Sequence, residues 1–400
     1  MKLINYSIRC VRTGGKNICF ACFLLVWIFI PCVILHAQIS RVQSINLRPV
    51  TRLPDVIKES SGIVVTSPDE IWSHNDSGNP NKLYCFDTIG ALIRTLEISN
   101  VANIDWEDLT SDNEGNIYID DAGNNDNDRT DLAIHIISNP GLIAGDETEA
   151  ETIHFVFEDQ TAFPPPSSNK NFDIEALVWH QDSLLLFTKN RSIPLNGYCK
   201  QYILPAQPGD YVARLVDSVY LGMTNDDARV TSAAVHPVSD ELILLTRTKL
   251  VSFTHYTGNE VFKGEMNVYP FEVPPGQAEA VDFVGQGNNV YITEEGSGGL
   301  SGYLYEVLLP LSTGFGRISA VEEQLRITMA GNRLILETGT FPVDFDEVCL
   351  IDTKGCVLIK GSNTHVLSLE GIPDGYYVVL AVKDGRAMAA KWGYVSGSFE

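Results

Sequence analysis

Short runs of alternating apolar and polar residues fill most of this chain, the period of two that predicts strands, and no stretch holds the 3.6-residue period of a long helix. Five stretches share one pattern, a short strand with polar residues at its head, followed 13 to 15 residues later by a second strand with a polar or charged end. The copies are Glu59-Ser-Ser-Gly-Ile with Trp72-Ser-His-Asn-Asp, Asp105-Trp-Glu-Asp-Leu with Tyr118-Ile-Asp-Asp, and Asp173-Ile-Glu-Ala-Leu with Phe187-Thr-Lys-Asn. Val230-Thr-Ser-Ala-Ala with Leu245-Thr-Arg-Thr and Gln277-Ala-Glu-Ala-Val with Ile292-Thr-Glu-Glu complete the set. Turn-forming residues separate the two strands of each copy, among them Ser67-Pro-Asp, Asn113-Glu-Gly-Asn and His180-Gln-Asp.

Registered on the third residue of each first strand, the copies recur at Ser61, Glu107, Glu175, Ser232 and Glu279, at gaps of 46 to 68 residues. That is close to the span of one four-stranded propeller blade. The chain therefore reads as all-β, a five-bladed β-propeller, or a six-bladed one if a degenerate blade lies between Glu107 and Glu175. The segment Ser44 to Leu53 is placed to supply a strand that closes the ring. Because strand side chains alternate faces, matched positions of radially arranged blades point at one axis. The expected inner ring is Ser61, Glu107, Glu175, Ser232 and Glu279, and a second ring is His74, Asp120, Lys189, Arg247 and Glu294. Unlike chemistry at matched positions suggests a site assembled from several blades. The plain alternative is a solvated channel whose charges neutralise one another.

Of 400 residues, 44% are apolar and 20% charged, enough for a large core and more than one domain. Residues 1–37 hold Lys2, Arg9, Arg12 and Lys16, no acid, and a mostly apolar run from Ile18 to Leu35. They read as a secretory signal cleaved after Ala37, with an uncleaved N-terminal anchor as the alternative. Cleavage would take the formal charge from −23 to −27 and leave no stable transmembrane segment. A surface so acidic repels nucleic acid and anionic headgroups, so neither is expected as a partner. Four cysteines survive maturation, Cys85, Cys199, Cys349 and Cys356, in no zinc-like spacing. A Cys349–Cys356 disulfide is permitted by export and not required.

The strings Glu59-Ser-Ser-Gly-Ile, His74-Asn-Asp-Ser-Gly-Asn, Asp105-Trp-Glu-Asp-Leu, Asp121-Ala-Gly-Asn-Asn with Arg129, and Asp173-Ile-Glu-Ala-Leu resemble secreted bacterial propellers. They are similar to the SdiA-regulated group and, more distantly, to phytase-like and lactonase-like propellers. The resemblance covers about residues 55 to 310. It implies calcium in or near the channel, although Lys189 and Arg247 depart from that pattern by placing cations where a metal site wants oxygen. After Pro310 the blade pattern stops, and alternating strands run from Leu325 to Val395. Val348-Cys-Leu-Ile-Asp-Thr-Lys-Gly-Cys-Val-Leu, Leu367-Ser-Leu-Glu-Gly-Ile-Pro-Asp-Gly-Tyr-Tyr and Lys391 resemble the type A C-terminal sorting domain of the Bacteroidetes type IX secretion system. That resemblance implies a small β-sandwich read by the type IX machinery, with a generic immunoglobulin-like sandwich as the alternative. The expected organisation is a signal peptide at 1–37, a propeller at 38–310, a linker at 311–324 and a sorting domain at 325–400. The expected location is the medium or the outer-membrane surface.

Candidate chemistry sits on the two rings. Glu107, Glu175, Glu279 and Glu294 are the candidate metal ligands, with calcium as the cation their hard oxygens suit. Ser61, His74, Asp120, Lys189, Ser232 and Arg247 are the candidate ligand-binding residues for a small molecule, glycan or peptide. If the site is catalytic, His74, Asp76, Glu107 and Glu294 are the acid and base candidates. The loop Asn124-Asn-Asp-Asn-Asp-Arg-Thr-Asp places acids at alternate positions but lacks the Gly and distal Glu of an EF-hand. Two function classes stay open, an exported binding module with a polar axial pocket and a calcium-dependent hydrolase or lyase of the phytase or lactonase type.

Overall fold

The computed structural model describes residues 39–310, 325–329, 333–338, 341–342, 344–352, 356–373, 375–383 and 386–394. The expected signal segment 1–37 and linker 311–324 lie outside the described residues. Four antiparallel strands form the first meander, Ser60–Ser67, Glu70–Asn75, Lys82–Phe86 and Leu92–Ile98. The second uses Leu109–Ser111, Ile117–Asp121, Ala133–Ile137 and Glu151–Phe157, and the third Ile174–His180, Ser183–Thr188, Tyr198–Pro205 and Gly209–Tyr220. The fourth is Val230–Val235, Leu242–Thr246, Lys249–Thr254 and Glu265–Pro270, and the fifth Ala278–Phe283, Asn289–Glu294 and Tyr303–Leu308. The fifth gains its outer strand from the other end of the chain, where Arg48–Arg52 pairs antiparallel with Tyr303–Leu308. The first strand of each meander neighbours the first strand of the next, and Ala278–Phe283 returns to Ser60–Ser67, so the inner strands close a ring. The fold is an all-β propeller.

Alternation explains the closure. Neighbouring residues of an inner strand face opposite meanders, so each strand feeds two interfaces. Ile63 packs with Ala280 and Leu304 of the fifth meander, whereas Val64 packs with Leu109 and Ile119 of the second. Leu177 joins Tyr118 and Ile134, and Val178 joins Ala233 and Leu244. Ala234, Ile243 and Leu245 meet Val281, Val290 and Ile292. Every inter-meander junction thus has its own apolar core, and the axis is left to polar side chains.

The described C-terminal strands form two further sheets, one built on Leu325–Met329 and Arg333–Thr338, the other ordered Val357–Thr364, Phe345–Ile351, Gly375–Lys383, Arg386–Tyr394. Leu334, Leu336, Val348, Leu350, Leu367 and Val379 make one core between them, a small β-sandwich. Cys85, Cys199 and Cys349 are buried free thiols, so no disulfide links Cys349 to Cys356 across its hairpin.

Candidate functional site

Pairing registers of the inner strands correct the sequence alignment at one copy. An extra residue interrupts the ladder between Ser60 and Gly62, between Ile174 and Ala176, between Val230 and Ser232, and between Ala278 and Ala280. The bulged residues are Ser61, Glu175, Thr231 and Glu279. Thr231, not Ser232, is therefore the fourth-meander partner of the ring, because a bulge adds a residue that strand alternation does not reveal. Ser232 lies one step deeper, level with Gly62, Asp108, Ala176 and Ala280.

The second strands show a larger departure. Gly62 pairs with His74 and Ala280 with Thr293, while Lys189 donates its backbone N–H to Asp173 and Glu295 to Gln277. Asp76 does the same to Glu59. Lys189 and Glu295 are thus level with Asp76, whereas His74, Asp120 and Glu294 sit at other depths. The expected second ring does not form as one tier because hairpin lengths differ between copies.

At the mouth where the inner strands begin, Asp76, Asp105 and Glu107 bring one carboxylate oxygen each within 4.8 Å of one another. Local hydrogen bonds fix them. Asn103 Nδ2 donates to the carbonyls of Asn75 and Asp76 at 3.0 and 2.9 Å, and its Oδ1 accepts from Trp106 N at 3.1 Å. The Asp105 N–H donates to Asp121 Oδ1 at 3.0 Å. Gly123 matters by its lack of a side chain, since a β-carbon there would collide with Glu107 Oε1 and Asp105 Oδ2. Ser61 Oγ donates to Glu107 Oε2 at 3.4 Å.

Glu175 is held differently. Lys189 Nζ and Arg191 Nη2 each lie 2.6 Å from its oxygens, and Arg191 also pairs with Asp173. Two cations therefore pair directly with Glu175 and Asp173, while Asp105 and Glu107 feel Arg129 and Lys189 only at longer range. The donor set that suits a hard divalent cation is the triad of Asp76, Asp105 and Glu107, with Glu279 and Glu295 close by, and not the four glutamates expected. Glu294 is taken up by an entry loop, accepting from Gly276 N at 2.8 Å.

Electrostatics follow burial and crowding. Burial, then Asp173 and Asp76, pushes the Asp105 carboxyl up to about 6. Asp173 rises to about 6 through burial and Glu175. Burial raises Glu107 well above the usual range, with Glu175 and Asp76 adding to it, and burial also raises Glu279. Burial opposes the Lys189 charge, but Glu175, Glu279 and Glu107 more than offset it and its pKa is raised. Such converging like charges favour a positive partner among them.

Other expected site residues lie elsewhere. His74 is fully buried, its Nδ1 2.9 Å from the Asn75 carbonyl and its ring edge-on to Trp106 at 5.6 Å, and burial lowers its pKa to about 4. It sits in the junction of the first two meanders, not at the mouth. Asp120 is also fully buried, and among the described residues neither carboxylate oxygen has a hydrogen-bond partner. Arg247 is exposed and pairs with Asp226 at 3.5 Å.

Asp108 lies below the triad and ties the inner strands together. Its carboxylate accepts from Leu109 N at 2.9 Å, Leu177 N at 3.0 Å, Ala233 N at 3.1 Å and Ser232 Oγ at 2.9 Å. Ser232 Oγ in turn accepts from Val281 N at 3.0 Å. Four meanders are joined through this one carboxylate and one hydroxyl. Beyond them, at the opposite mouth, Leu109, Trp179, His180, His236 and Asp282 line a cavity of about 420 Å³.

Sequence reasoning missed Asp105, Asp173, Arg191, Glu295 and Asp108 as site residues. The signal for two of them was present, since acids head three of the five copies at Glu59, Asp105 and Asp173.

No family model matches the chain. No curated protein matches it. Among solved structures it is similar to a PQQ-bound aldose sugar dehydrogenase of Streptomyces coelicolor, at 10% identity over 66% of this chain and 98% of that one, with a TM-score of 0.42. A gluconolactonase of Xanthomonas campestris matches at 10% identity over 67% and 87% of the two chains, with a TM-score of 0.35. PorZ, a surface component of the type IX secretion system of Porphyromonas gingivalis, matches at 11% identity over 84% of this chain and 45% of its own, with a TM-score of 0.34. At these identities the likenesses concern fold alone.

Proposed function

We propose that this chain is an exported five-bladed propeller whose acidic axial mouth binds a divalent cation, calcium being the one its chemistry suits, or a cationic ligand. One observation carries the reading, the convergence of Asp76, Asp105 and Glu107 from two meanders within 4.8 Å. Oxygen-only donors at that spacing match calcium, which takes carboxylates and carbonyls in flexible numbers. Binding is favoured over hydrolysis because His74, the one imidazole expected as a base, is sealed between blades. Thermal melting of chelator-treated protein with and without calcium tests the proposal. Calcium is expected to raise Tm, and Glu107→Gln to weaken that rise. Identical melting curves for the metal-free and calcium-loaded protein would leave the mouth an ordinary solvated channel.

The signal at 1–37 and the sandwich after residue 325 support export through the type IX machinery to the surface or medium. Among the described residues no helix is long and apolar enough to cross a membrane. The first strand, Ile39–Val42, begins just after the expected cleavage point, so processing would leave its pairing with Glu265–Pro270 intact. Deleting residues 325–400 is expected to strand a folded propeller in the periplasm. Equal surface display of the truncated chain would count against the sorting role.

A further inference from the structure

The five loops that lead from the outer strand of one blade into the inner strand of the next all emerge at the acidic mouth. Each carries one exposed large apolar residue, Val56, Ile104, Phe163, Met223 and Val273 in turn around the ring. Met223 is 85% exposed and Val273 72%. Two loops at the same end, between the second and third strands of their blades, add exposed Ile193 and Leu300. A single exposed apolar residue needs no explanation, but one on every entry loop of a closed ring sets a collar of five around one end, and apolar groups gathered on one face mark interaction sites.

Inside the collar the charge is negative. Lys189 and Arg191 are already engaged by Glu175 and Asp173. Lys189 also acts at longer range on Glu107, Glu279 and Glu295, and Arg129 on Asp105, but among the described residues these four and Asp76 outnumber the cations and make no direct ion pair. An apolar collar around an acidic well is complementary to one kind of object, a positive group projecting from an apolar surround. A calcium ion satisfies the well and leaves the collar in water. An anionic lipid surface is repelled by the well and by the chain's net charge of −23.

We infer that the mouth docks a polypeptide segment that carries a lysine or arginine flanked by large apolar side chains, the cationic head entering the well and the flanks covering Ile104, Phe163, Met223 and Val273. This deepens the reading of the mouth as a binding site and rests on it. Apolar burial supplies most of the affinity at the collar, and the buried charge pair supplies selectivity, since an acidic or neutral head leaves the carboxylates uncompensated.

The probe is a fluorescein-labelled pentapeptide of leucines with a central lysine, titrated against the full mature chain in calcium-free buffer and followed by anisotropy. Saturable binding is expected, weakened at least about tenfold when the central lysine is replaced by glutamine, a step of roughly 1.4 kcal/mol. The paired surface changes Ile104→Ser and Met223→Ser, at side chains 51% and 85% exposed, are expected to weaken it by a similar factor while leaving the calcium-dependent Tm unchanged. No saturation by about 1 mM peptide, equal binding of the glutamine peptide, or binding instead to neutral phosphatidylcholine vesicles or to a second copy of the chain would overturn the inference. If calcium still raises Tm when the peptide fails, only this inference falls. If neither binds, the reading of the mouth falls with it.

Discussion

Two buried aspartates differ in kind. Asp108 accepts four hydrogen bonds, from Leu109, Leu177 and Ala233 N–H groups and the Ser232 hydroxyl, so its removal orphans donors of three blades. Asp108→Ala is expected to cost roughly 3 kcal/mol or more in chemical denaturation, since each buried unpaired donor carries its own penalty. Ser232→Ala should cost about 1 to 2 kcal/mol. The double variant should cost less than the sum, because both act through one network. Strict additivity would show that the two residues do not share a network. Asp120 makes no such bonds, and burial raises its pKa well above the usual range, with Asp108 next in effect. A carboxyl raised in this way lends stability at low pH and loses it as pH rises. Asp120→Asn should therefore raise Tm more at pH 8 than at pH 5. An equal effect at both pH values would contradict this account of its burial.

Strands and their neighbours were legible because period-two alternation and turn residues mark them directly. The ring itself was legible too, as the Ser44 to Leu53 segment shows by supplying the outer strand Arg48–Arg52. Depth along the axis was harder to read. The bulge at Thr231 shifts one copy by a residue, and unequal hairpins scatter His74, Lys189 and Glu294 across three depths. Neither effect changes the hydrophobic pattern, so neither leaves a mark in it. The acids of the mouth were visible as residue types, but their sorting into a caged pair, Asp173 and Glu175, and a triad without a direct ion pair, Asp76, Asp105 and Glu107, depends on side-chain reach. Ring closure gives an element-scale expectation. A chain beginning at Leu53 exposes the edge of Tyr303–Leu308 and should self-associate in size-exclusion chromatography with light scattering. A stable monomer of unchanged Tm would mean that the closing strand is dispensable.

For the whole molecule, buried acids set the pH dependence of the apo state. Asp105 and Asp173 are raised from 3.8 to about 6, Asp282 from 3.8 to about 7 and Glu241 from 4.5 to about 7, each mainly by burial. Their contribution is full below about pH 4 and is lost as pH rises through 6 to 7. His74, lowered from 6.5 to about 4, has the opposite sign, costing nothing above 6.5 and more as pH falls towards 4. The acids outnumber it, so the calcium-free protein should melt higher at pH 5 than at pH 8, with calcium reversing the order as the triad ionises. A melting temperature that climbs steadily from pH 5 to 8 without metal would show that the acids are not raised.

The most direct test of the central claim is terbium luminescence, because Trp106 lies between Asp105 and Glu107 in the chain and can sensitise a lanthanide held by them. Terbium titrated into metal-free protein should give saturable emission on tryptophan excitation. That emission should be displaced by calcium, lost in Trp106→Phe and much weakened in both Asp105→Asn and Glu107→Gln. Emission that is absent, or that is unchanged in the two carboxylate variants, would place any bound cation elsewhere and contradict the axial site.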